Sequence, residues 1–102
     1  MLRLRNLKFS LLATVSTEDP KAVGAVLKTV IGSKGTFASV GEKEFQIRAE
    51  MEGESAKDLN RSLLSQLRRA EKKTRLRAEW THGDVTERFF DYVFKKRIEN
   101  KR

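Results

Sequence analysis

The chain of 102 residues contains no cysteine, so it holds no disulfide, no thiolate nucleophile and no sulfur ligand for a metal. A single histidine, His82, leaves no His/Cys cluster for zinc or iron, and any metal site would have to be built from oxygen alone. One proline, Pro20, and six glycines spread along the chain exclude a Pro-rich or Gly-rich linker. Long apolar runs are missing too. The opening "MLRLRNLKFSLLATVS" is broken by Lys8 and Ser10 before it reaches the apolar core of about 7 to 15 residues that a secretory signal needs, so a cytoplasmic protein is expected. Nothing approaches the roughly 20 apolar residues of a membrane span, and no membrane partner is expected. Acidic residues are in short supply. There are 14 Asp and Glu against 22 Lys and Arg, a net charge of +8, and a surplus of that sign favours nucleic acid, an anionic membrane surface or an acidic protein as partner while saying nothing about fold.

Hydrophobic content of 38% in a chain of this length suffices for one core, and one domain over residues 1–96 is expected, followed by a frayed basic tail over 97–102. From Leu7 to Val15 the odd positions are apolar and most even ones polar, a period of two that predicts a strand with one buried face. Asp19 as N-cap, Pro20 at the first helical position and apolar Val23, Val26, Leu27 and Val30 predict a helix over about 20–31, stopped at Gly32. "GTFASVGEKEFQIRAEME" reads as two strands, about 35–40 and 44–52, turning at "GEK". Ser55 with Asp58 three residues on opens a second helix, with Ala56, Leu59, Leu63, Leu67 and Ala70 on one stripe. "TRLRAEW" returns to period two, with Leu76, Ala78 and Trp80 on one side and Arg75, Arg77 and Glu79 on the other. The remaining "HGDVTERFFDYVFKKR" reads as one more strand, with "HG" as a hairpin turn, or alternatively as a C-terminal helix capped by Asp84.

The order βαββαβ plus an added C-terminal strand resembles the split βαβ or ferredoxin-like plan, an α+β architecture with an antiparallel sheet and two helices on one face. That plan hosts many functions. "KGTFASV" is a loose echo of the base-stacking signature of the RNA recognition motif, but it falls on the second strand with Phe37 as its one aromatic, and the third strand, "EFQIRAEM", has none. Acylphosphatases are similar in length and plan, but "STEDPK" after the first strand offers Glu18 and Asp19 where they carry a phosphate-cradling glycine loop. No catalytic set and no cofactor site is evident, and a non-enzymatic domain is expected.

"RRAEKKTRLR", Arg68 to Arg77, holds six basic residues opposed only by Glu71. In the expected strand order Lys8, Arg48, Arg75 and Arg77 share the sheet face that no helix covers, a surface suited to neutralising phosphates of RNA or DNA. The competing expectation is a solvated face on which Glu44, Glu50 and Glu79 pair those arginines in cross-strand ladders. Glu50, Glu52 and Glu54 read as strand-edge and helix N-terminal charges rather than a cation site. Along the tail Phe89 and Phe90 point to opposite faces, which makes Phe89, Phe90, Tyr92 and Val93 candidates for a partner interface, either with another protein or with a second copy in a homodimer.

Overall fold

The computed structural model describes residues 6–99. Strands β1 (Leu7–Ser16), β2 (Gly35–Gly41), β3 (Glu44–Gly53), β4 (Arg75–His82), β5 (Val85–Phe90) and β6 (Val93–Glu99) form one antiparallel sheet in the order β2-β3-β1-β4-β5-β6. Helices α1 (Pro20–Val30) and α2 (Ala56–Ala70) supply the second layer of this α+β structure. No helix among the described residues is long and apolar enough to cross a membrane.

Local chemistry accounts for the helix starts. The Asp19 carboxylate accepts the Ala22 N–H at 3.2 Å, with Pro20 supplying a preset φ where its missing N–H has no intrahelical partner to lose. The Ser55 hydroxyl accepts the Asp58 N–H at 3.1 Å. Alternation does the same for the strands: Phe9, Leu11, Ala13 and Val15 of β1 are buried against Val23 and Leu27 of α1 and Leu63, Leu64 and Leu67 of α2, while Lys8, Ser10 and Leu12 are exposed on the other face. Gly35 is required where β2 starts, since a Cβ there would collide with the Arg48 carbonyl oxygen of β3.

The C-terminal segment departs from expectation. Neither one long strand over 85–96 nor a helix forms. The chain reverses at Asp91 and Tyr92 into two strands, with Asp91 in the left-handed region at φ 56°. Aspartate tolerates that conformation better than most residues, and the turn contains no glycine that would have announced it. β6 continues to Glu99, so residues 97–99, expected in a frayed tail, are strand; residues 100–102 lie outside the described residues.

What holds the hairpin in place is a buried amide. Asn60 of α2, a polar residue, is 1% exposed. Its Oδ1 accepts the indole N–H of Trp80 at 3.1 Å, and its Nδ2 donates to the Asp91 carbonyl at 2.7 Å. Asp91 in turn donates its N–H to the Leu76 carbonyl at 2.7 Å and accepts the Leu76 N–H on Oδ1 at 2.9 Å. One side chain of α2 thus ties β4 to the β5–β6 turn. Replacing Asn60 with Leu keeps the volume but strands a buried indole N–H and a carbonyl, and should cost about 2–4 kcal/mol in urea unfolding followed by Trp80 fluorescence. A change under about 0.5 kcal/mol would show that the amide holds nothing together.

Candidate functional site on the open sheet face

The face opposite the helices carries two full cross-strand rows. One reads Thr36, Arg48, Leu12, Glu79, Arg88, Lys96 from β2 to β6, and the next reads Ala38, Gln46, Thr14, Arg77, Phe90, Val93. Between them the twisted sheet encloses a shallow hollow of about 580 Å³ with Leu12 and Thr14 on its floor and Thr36, Arg48, Arg77 and Arg88 among its walls.

All four basic residues expected on this face lie on it, but they do not act as a set. Arg48 and Arg77 line the hollow; Lys8 and Arg75 do not. Arg48 is exposed and makes no ion pair among the described residues. Arg77 has no acidic partner there either, and its guanidinium lies 5.7 Å from the centre of the Phe90 ring. Strand spacing places the two arginines two strands and two residues apart, roughly 12 Å between Cα atoms. Lys8 sits level with Glu52 at the end of the face, and its carbonyl contacts the His82 ring at 3.0 Å.

Arg75 is committed elsewhere. Its Nε donates to Asp91 Oδ2 at 2.8 Å and its guanidinium lies 4.8 Å from the Phe90 ring centre, while Arg68 approaches Asp91 Oδ1 at 3.5 Å. Arg75, expected with the others as a phosphate-binding residue on this face, is thus tied into the fold. Its partner lies 16 residues on, across a turn the sequence did not reveal. Among the described residues none of Glu44, Glu50 and Glu79 pairs with the expected cations; Glu79 instead meets Arg88, whose Nε lies 2.8 Å from Glu79 Oε2. Arg88 was missed as a site residue, although the alternation in "TERFF" places it on the same face as Phe90 once the strand register is known.

The aromatic candidates divide in the same way. Phe89 is 3% exposed, packed edge-on against Phe94, and is core rather than interface. Phe90 lies beneath the two arginines. Tyr92 leans over α2, its hydroxyl 3.0 Å from Ser65 Oγ and its ring under Arg68. Val93, 58% exposed, is the expected interface residue that stands free, and Phe94 joins it at the surface.

At one end of the sheet a second polar cluster is built around Glu71, just past α2. Its Oε1 accepts from the Thr17 hydroxyl at 3.3 Å, the Glu18 N–H at 3.2 Å and the Thr74 hydroxyl at 3.4 Å, and its Oε2 accepts the Lys73 N–H at 3.0 Å. The Lys73 N–H is the largest cause holding this carboxyl below the ordinary glutamate value; partial desolvation opposes it, and the Glu18 N–H and the two threonine hydroxyls add to the lowering. No group of three or more metal-ligating side chains occurs among the described residues, and every donor in this cluster is satisfied inside the fold.

A carboxyl whose pKa is depressed by folding contributes stability that is complete above its unfolded pKa and is lost as pH falls through the folded one. Wild type should therefore lose melting temperature on going from neutral pH to about pH 3, and Glu71→Gln, less stable at neutral pH, should lose less over that interval. Parallel acid slopes in thermal melts of the two proteins would remove Glu71 from the account.

No protein-family model matches this chain, and neither the curated proteins nor the solved structures hold a match to it.

Proposed function

We propose that this is a non-enzymatic domain that binds nucleic acid, RNA slightly ahead of DNA, through phosphate contacts on the open sheet face. The observation that carries this reading is the pair Arg48 and Arg77, guanidiniums free of acidic partners among the described residues on either side of an uncharged floor. Bringing phosphates to such a face releases condensed counterions without first breaking internal ion pairs. Phe90 supports backbone contact over base readout, because its ring already lies beneath Arg75 and Arg77 and is not free to stack a base. The hollow offers guanidinium, hydroxyl and amide groups, and its carboxylate, Glu79, is held by Arg88, which supports the non-enzymatic reading.

We read the architecture as ferredoxin-like with an added hairpin. In support, α1 links β1 and β2 across β3, and α2 links β3 and β4 across β1; the six-strand order departs from the simple plan by β5 and β6.

Fluorescence anisotropy with mixed-sequence RNA and duplex DNA across a salt series tests the function. For about four phosphates contacted on duplex, affinity should fall about 100-fold between 50 and 200 mM salt. Arg48→Ala with Arg77→Ala should lower affinity by about tenfold at low salt and reduce the salt slope by about 2, with the melting temperature held. Arg61→Ala with Arg69→Ala, on the exposed side of α2, should change binding little. A salt-independent response, or loss of binding in the α2 variant with the sheet variant intact, would sink this assignment. Arg75→Glu is the wrong probe, since it sets a carboxylate against Asp91 and should lower stability whatever the ligand.

A further inference from the structure

The sheet has two edges, and they are protected differently. β6 carries Lys95, Lys96 and Arg97 and a register shift against Arg88 and Phe89 of β5, devices that discourage a further strand from pairing. β2, "GTFASVG", carries no charge over its whole length and bonds to β3 on one side only. Its own irregularity falls between Ser39 and Gly41, which leaves Gly35–Ser39 as a regular free edge with Phe37 at its midpoint. Phe37 is half-buried and packs edge-on against Phe45 at 6.0 Å.

We propose that β2 is the strand through which this chain pairs with a second copy of itself, antiparallel and centred on Phe37. The occupant follows from charge at the two ends of the strand. Lys34 precedes β2 and Glu42 follows it; both are exposed, and neither makes an ion pair among the described residues. Antiparallel pairing about Phe37 runs the two strands in opposite directions, so Lys34, the last residue of the 3-10 turn before β2, comes to the end at which the other copy carries Glu42, and the twofold axis repeats the pair at the other end. A parallel pairing would bring like charges together at both ends. The same pairing covers the half-exposed Phe37 ring with its twin on the helix side and sets Thr36 beside Ala38 on the open side. Because Thr36 and Ala38 also line the hollow, the two concave faces become one surface that runs through the interface.

Sedimentation equilibrium of the full chain, up to about 500 µM protein, tests the proposal without any ligand. Wild type should dimerise with a micromolar dissociation constant. Lys34→Glu should weaken the dimer about tenfold, since it converts two attractive pairs into two repulsive ones, and Lys34→Glu with Glu42→Lys should restore it. Ala38→Lys, which sets two cations diagonally across the axis, should weaken it to a similar extent. Circular dichroism of each variant should match wild type, because Lys34, Ala38 and Glu42 are all exposed. A wild-type chain that stays monomeric throughout the range overturns the proposal. So does a dimer that neither Lys34→Glu nor Ala38→Lys weakens, which would place the contact on another surface such as β6.

Discussion

A single buried carboxamide sets the geometry of the C-terminal half. Asn60 lies among Leu63, Leu64 and Leu67 in the apolar face of α2, where an unsatisfied amide would be costly. It is tolerated because both ends are bonded, one to the Trp80 indole and the other to the Asp91 carbonyl. Those bonds fix the position of the turn between β5 and β6. Asp91 is then held with its carboxylate toward β4, where it satisfies the Leu76 N–H and takes the Arg75 guanidinium. The hairpin so anchored brings Phe90 level with Arg77 and widens the sheet to six strands, which makes the open face broad enough to be concave.

The hairpin also settles which sheet edges face solvent. Without it β4 would be an edge, exposing the backbone beside Arg75 and Arg77. With it, that backbone is paired and the edge passes to β6, whose cations oppose addition of another strand. β2 has no such addition, and among the described residues it carries one irregularity near its end and is flanked by the opposite charges of Lys34 and Glu42. Opposite charges at the two ends of a strand do not repel an antiparallel twin. They favour it, and so the two edges differ in kind as well as in degree.

Much of this architecture is readable from the residues. The period of two in β1, β3 and β4, the caps at Asp19 and Ser55, and the turn at Gly83, with φ 60°, are local signals, and the structure places strands, helices and a turn where they say. What could not be read is nonlocal. The reversal at Asp91 rests on bonds to Leu76 and Asn60, many residues earlier, and not on a glycine in the turn itself. Asn60 looks like a solvent residue because nothing near it in sequence shows that Trp80 needs an acceptor. The commitment of Arg75 follows from that unseen turn, which supplies Asp91, whereas Arg88 stands opposite Glu79 through the β4–β5 register that the turn after His82 sets. Arg48 and Arg77, by contrast, lie on strands whose own alternation declares their face, and they are the expected site residues that line the hollow.

The charge total alone does not explain why those two arginines make no ion pair among the described residues. The open face bears Glu44, Glu50, Glu52 and Glu79 as well as its cations, and carboxylates opposite arginines on neighbouring strands pair readily, as Glu79 and Arg88 do. The difference lies in immediate neighbours. Arg48 is flanked across the strands by Thr36 and Leu12, and Arg77 by Thr14 and Phe90. None of the four is charged, so the nearest carboxylates on this face lie two residues on along each arginine's own strand, Glu50 for Arg48 and Glu79 for Arg77, and Glu79 is already paired with Arg88; ordering a long side chain toward such a partner has a cost in freedom that an exposed ion pair returns poorly. Placement between neutral cross-strand neighbours therefore leaves Arg48 and Arg77 with no carboxylate directly facing them, an arrangement that the +8 total by itself does not determine.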